Sequence, residues 1–125
     1  MKLTGAAILL LSCLSTATLA DDHKHKPDTA TIQLANDQSG ANANVAVPEN
    51  GKKYSIESLW GKTAVAKKGR VFATSAQLVA FQQHTHCTIF DHDHLHAELD
   101  ARKTWVSLKD GKVVNLDHAF VVCDD

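Results

Sequence analysis

Eight histidines stand in a chain of 125 residues, and five of them fall within one short stretch, His84-Thr85-His86-Cys87-Thr88-Ile89-Phe90-Asp91-His92-Asp93-His94-Leu95-His96. Imidazoles interleaved with carboxylates form the donor set of Zn(II), Cu(II) and Ni(II) sites. The candidate ligands here are His84, His86, His92, His94, His96 and Glu98. Two histidines at i and i+2 on a strand share one face. They can converge on one ion only if a third ligand reaches them from the neighbouring strand, and His96 or Glu98 is placed to do so. Imidazole as a residue type gains charge between pH 8 and pH 5. Clustered histidines are therefore expected to repel one another on acidification and to release a bound ion at about pH 5, with the fold intact.

A second candidate lies near the start of the chain. If a leader is cut after Ala20, the mature chain begins Asp21-Asp22-His23. A free α-amine, two backbone amides and an imidazole at position three make a square-planar nitrogen set that suits Cu(II) or Ni(II). His25 stands close by as an accessory ligand. The remaining histidine, His118, follows Asp117.

Enzymatic arrangements fit less well. The His-x-His and Asp-His order has a counterpart in metallo-β-lactamase-type hydrolases, but the gap between the pairs is too long and the chain too short. His94-x-His96-x-Glu98 has a counterpart in the cupin ligand set, yet the glutamate comes too soon and no second ligand motif follows. Asp117-His118 lacks a marked nucleophile such as Gly-x-Ser-x-Gly. No catalytic residue is assigned and no cofactor is required; Cu(II), Ni(II) or Zn(II) are the ions the histidines would take.

These residues must be positioned by a small domain. Residues 1–20 read as a secretory leader, with Lys2 as its basic start, an apolar run from Ala6 to Leu11, and Thr18-Leu19-Ala20 as a small-x-small cleavage site. The run is too short to span a bilayer. Leu10-Leu11-Ser12-Cys13 also loosely fits a lipoprotein site. Residues 21–30 form a polar, His-containing arm, and 31–125 a single domain. The mature part balances twelve basic against fourteen acidic side chains, which argues against binding nucleic acid through a basic patch. Neither a nucleic acid nor a membrane is expected as partner. Two cysteines remain after the leader, Cys87 and Cys123, and an even pair in an oxidising compartment is most simply one disulfide. No Asn-x-Ser/Thr sequon occurs.

The patterning is that of short strands. Residues 31–35 and 44–47 alternate around turn-forming residues 36–42. Pro48-Glu49-Asn50-Gly51 is a turn, residues 54–60 are a strand or a single helical turn, and Lys67-Lys68-Gly69-Arg70 is a basic turn. Residues 71–81 read as one long strand, bulged at most. Asp110-Gly111 between apolar runs 104–108 and 113–116 reads as a two-residue hairpin turn, and residues 119–123 form a final strand. No 3.6-residue period and no repeat occurs. The expectation is an all-β domain, a small antiparallel β-sandwich or barrel of about seven or eight strands with one disulfide. Trp60, Trp105, Phe72, Phe81 and Phe120 are its expected large core residues.

In this frame residues 90–94 form a hairpin tip with Ile89 opposite Leu95. Cys87, Ile89, Leu95, Ala97 and Leu99 then share the inner face, and His84, His86, Thr88, His96 and Glu98 the outer one. His86 sits across from Glu98, and Thr88 across from His96. A one-residue slip would mix the two sets.

The stretches Ile32 to Asn42, Ala73 to Gln83, Thr104 to Leu108, Val113 to Leu116 and Val121 to Cys123, together with Cys87, resemble a group of small secreted proteins of filamentous ascomycete fungi, similar to hypersensitive-response-inducing elicitors. The resemblance covers most of the mature chain and does not involve the histidines. It implies a compact β-fold with one disulfide and an extracellular, non-enzymatic effector or elicitor, acting on a host protein or receptor.

Overall fold

The computed structural model describes residues 28–92 and 94–125. The expected leader over residues 1–20, the Asp21-Asp22-His23 motif, His25 and Asp93 lie outside them. Eleven short strands and one helical turn are present among the described residues, arranged in three antiparallel sheets without a closed barrel.

β1 (Thr29–Asn36) and β2 (Ala41–Pro48) form the longest hairpin. Their alternation sends Ala30, Ile32, Leu34 and Val47 into the core, each fully buried. β1 begins at Thr29, so the last two residues of the stretch expected as a polar arm, Thr29 and Ala30, belong to this strand. The turn is built by Asn36. Its Oδ1 accepts from the Gln38 and Ser39 amides at 2.9 and 3.3 Å, and Gly40 supplies the positive φ of 78°.

β3 (Lys53–Ser55) leads straight into α1 (Ile56–Trp60), so residues 54–60 hold both a strand and a helical turn. Ser55 Oγ caps the turn by accepting from the Ser58 amide. Gly61 closes it at a point where a Cβ would stand 2.4 Å from the Glu57 carbonyl oxygen, so only glycine fits. Trp60 is fully buried, and its indole N–H donates to the Ala43 carbonyl of β2 at 3.1 Å. That bond covers part of an otherwise open sheet edge.

β4 (Ala66–Lys67) and β5 (Arg70–Ala73) are joined by Lys68-Gly69, both at positive φ, the geometry of a tight hairpin turn. β6 (Ser75–Ala80) follows, but not as a continuation of β5. The long strand expected over 71–81 is broken at Thr74, and the halves belong to different sheets. Thr74 is 1% exposed. Its amide donates to Ala35 O at 2.7 Å, its carbonyl accepts from the Leu108 amide, and its Oγ1 accepts from the Asp37 amide. Both polar ends of this corner are therefore satisfied while the chain changes layers.

β7 (His86–Phe90) and β8 (His96–Asp100) form the histidine hairpin; β9 (Trp105–Ser107), β10 (Val114–Asn115) and β11 (Phe120–Asp124) complete the fold. Asp110 and Gly111 do adopt positive φ, and the Lys112 amide donates to Lys109 O across the turn. Yet β9 and β10 do not pair: β9 joins β6, and β10 joins β5. They splay because their partners have already parted at Thr74. The sheet orders are β2-β1-β6-β9, β10-β5-β4 and β3-β11-β7-β8.

One core cluster draws on all three sheets, with Ile32, Leu34, Leu78, Val71, Ile89, Leu99, Leu116 and Val121 at its centre. Of the expected large core residues only Trp60 is fully buried. Phe72 and Phe120 are half-buried, whereas Phe81 and Trp105 are 39% and 53% exposed. Apart from Trp60, aliphatic side chains fill the interior, and the other large rings sit at strand ends and on outer faces. Cys87 and Cys123 are directly opposite one another on β7 and β11, with Cα atoms 4.1 Å apart, and are joined in the disulfide.

Candidate functional site: the histidine hairpin

β7 and β8 pair His86 with Asp100, Cys87 with Leu99, Thr88 with Glu98, Ile89 with Ala97 and Phe90 with His96. This register differs by two residues from the expected one. Ile89 faces Ala97 rather than Leu95, and the tip runs over 91–95. The cause is Asp91, whose Oδ1 accepts from the amides of His94 and Leu95 at 2.9 and 3.0 Å, while its own amide donates to Leu95 O. A two-residue shift keeps side-chain parity. Cys87, Ile89, Ala97 and Leu99 are accordingly buried, while His86, Thr88, His96 and Glu98 face outward.

The shift still brings two histidines to one carboxylate. Glu98 is the centre of the group: His96 Nε2 lies 2.8 Å from its Oε2, and His86 Nε2 lies 3.4 Å from its Oε1. His86 reaches it on the diagonal, not directly across. The two contacts hold the Glu98 carboxyl below the usual carboxylate range, the His96 hydrogen bond contributing most and the His86 bond next. All three side chains are solvent-accessible. Asp100 is also held low, by the backbone amides of Arg102 and then Lys103, and is engaged in that turn.

The other candidate ligands do not join this group. His84 is exposed in the turn before β7, off the strand on which it was expected. His92 stacks edge-on to Phe120 with ring centroids 6.2 Å apart. His94 borders an open depression of about 590 Å³ together with Thr88, Phe90, Leu95, His96 and Val122. Beside it, Phe90 and Phe120 lie 6.0 Å apart, and the Lys53 ammonium stands 4.3 Å above the Phe120 ring. His86 Nε2, His96 Nε2 and both Glu98 oxygens are engaged with one another, so an ion bound through these atoms would have to displace these hydrogen bonds.

A different set of acidic groups does converge among the described residues. Ligand oxygens of Asp28, Glu49 and Asp125 lie within 4.8 Å of one another. Thr85 Oγ1 donates to Glu49 Oε2 at 2.7 Å, whereas Glu49 Oε1 is buried without a hydrogen-bond partner. No sequence spacing marks this trio, because the three residues are remote in the chain and meet only through the pairing of β1 with β2 and the return of β11. Among the described residues, no helix is long and apolar enough to cross a membrane. Comparison with family models, with curated proteins and with solved structures gives no match.

Proposed function

We propose that this chain is a secreted, non-enzymatic protein that acts by contact at a host surface, in the manner of an effector or elicitor. The observation that carries the reading is the Cys87–Cys123 disulfide, buried between two strands of a 125-residue chain. Such bonds persist in oxidising compartments and brace small extracellular domains. The leader-like N-terminus and the resemblance to secreted fungal elicitors support the same reading. The test is infiltration of purified, oxidised protein into leaf tissue. Cell death or induced defence genes are expected. No response to protein with its disulfide verified intact would overturn the elicitor role.

A second reading is favoured by Glu98 lying between two imidazoles. His86, His96 and Glu98 offer the nitrogen and oxygen donors of a Zn(II) or Cu(II) site, with His94 nearby on the tip, and Asp21-Asp22-His23 would offer a separate Cu(II) or Ni(II) chelate. Calorimetric titration with Zn(II) and Cu(II) discriminates the two sites. Binding to the hairpin must vanish in a His86→Ala/His96→Ala variant, and binding to the mature N-terminus must survive it. Equal weak heats from both proteins would remove the hairpin site.

A further inference from the structure

The β2-β1-β6-β9 sheet contains no ionisable residue. Its strands have eight, eight, six and three residues, and none is Asp, Glu, Lys, Arg or His, in a chain that is 22% charged and holds eight histidines. The β3-β11-β7-β8 sheet is the reverse, carrying Lys53, His86, His96, Glu98, Asp100 and Asp124.

On the solvent side of the uncharged sheet, the register aligns four side chains in one transverse row. Asn44 is opposite Gln33, Gln33 is opposite Gln77, and Gln77 is opposite Trp105. At a strand spacing of ~4.8 Å the row spans about 14 Å. None of the three amides has a hydrogen bond within the described residues. Each can therefore offer two donors and an acceptor to a ligand. Trp105, at 53% exposure, ends the row. The other exposed large apolar residues, Val79 and Phe81, lie on β6 and immediately after it. Val79 is the extra residue of a bulge, since Thr31 pairs with Ala80 and Ile32 with Leu78.

We propose that this face binds a neutral polysaccharide, one sugar ring resting on Trp105 and successive hydroxyls meeting the amides of Gln77, Gln33 and Asn44. A sugar hydroxyl both donates and accepts, as a primary amide does, and the C–H face of a pyranose matches the flat indole. The absence of charge argues against the other ligand classes. Nucleic acid and anionic lipid surfaces are held by Lys and Arg, and this sheet has neither. A second copy of the chain fits poorly. The face covers at most on the order of 500 Å² by strand spacing and rise, below the ~800 Å² per partner of a stable interface, whose core would also be more apolar. The proposal stands whether or not the protein is an elicitor.

The test is depletion of the full protein from solution by microcrystalline cellulose, chitin and curdlan. At least one should remove it, and removal should persist in about 1 M NaCl, where the Debye length is ~3 Å. Trp105→Ala should weaken binding about tenfold or more, the order of a lost stacking contact. Gln77→Ala should weaken it less, and Trp105→Phe should restore part of the loss. His96→Ala, on the other sheet, should change nothing. Because Trp105 and Gln77 project outward, unchanged circular dichroism is expected and would separate lost binding from lost folding. Failure of all three polysaccharides would overturn the proposal. So would binding that survives Trp105→Ala or disappears in salt, or a dimer in solution that Trp105→Ala dissolves.

Discussion

Glu98 accepts from two imidazoles at unequal distance, and the inequality has a measurable consequence. His96, at 2.8 Å, depresses the carboxyl more than His86 at 3.4 Å. A depressed carboxyl stabilises the fold at pH values above its unfolded pKa of about 4.3, and the contribution fades as pH falls through the folded value. Glu98 is exposed, so this effect on stability is small, and the titration is better followed at the residue itself. By carboxyl-carbon NMR, His96→Ala should move the Glu98 midpoint further toward its ordinary value than His86→Ala does. The opposite order would contradict the assigned contacts. Glu49 offers a different residue-scale test. Its Oε1 is buried and unpaired beside the carboxylates of Asp28 and Asp125. Glu49→Gln keeps an acceptor for Thr85 and adds an N–H facing those oxygens. It should raise stability by about 1 kcal/mol, the net worth of a hydrogen bond, with less benefit at high salt. A lower urea midpoint would show instead that the carboxylate itself is required there.

Thr74 decides the layering at the scale of elements. Its hydroxyl serves the Asp37 amide and reaches Ala35 O at 3.2 Å, tying the β5–β6 break to the β1–β2 turn. Thr74→Val keeps the shape and strips the hydroxyl, removing a partly buried hydrogen bond to the Asp37 amide, which costs about 1 kcal/mol. Amide exchange should quicken first at Asp37. Equal protection in the variant would remove Thr74 from this role. The same corner explains what the sequence could not convey. Val71 to Phe81 is uniformly strand-forming, and nothing in residue type records that Ala73 and Ser75 pair with different sheets. The Asp110-Gly111 turn was legible because positive φ is a local requirement; the splaying of its flanks was not, because it is imposed by β5 and β6. On the histidine hairpin the two faces were readable from parity, which a two-residue shift preserves. The register itself depended on Asp91 capping the tip, a choice among acidic residues that alternation does not rank. Ring size alone suggests a core position for Trp105, but apart from Trp60 the interior is filled by aliphatic side chains.

The molecule as a whole divides its chemistry between two four-stranded faces, one ionisable and one neutral, around a shared aliphatic core. The disulfide ties this arrangement together in a particular way. Between Cys87 and Cys123 the chain contributes β8 to the histidine sheet, β9 to the neutral sheet and β10 to the small third sheet. The loop it closes, with a sequence separation of 36, thus draws on every layer. Removing the bond should weaken the domain as a unit and not merely loosen the β7–β11 pair. A Cys87→Ala/Cys123→Ala variant is expected to lose about 2–4 kcal/mol on the chain-entropy account. Because that account acts on the unfolded chain, the urea transition should fall to a lower midpoint and also steepen, as the uncrosslinked chain exposes more surface. Tryptophan fluorescence and far-ultraviolet circular dichroism should report one shared transition, since Trp60 lies in the common core and Trp105 on the neutral sheet. Two separated transitions would show that the layers unfold independently, and an unchanged midpoint would show that the core holds them without the bond.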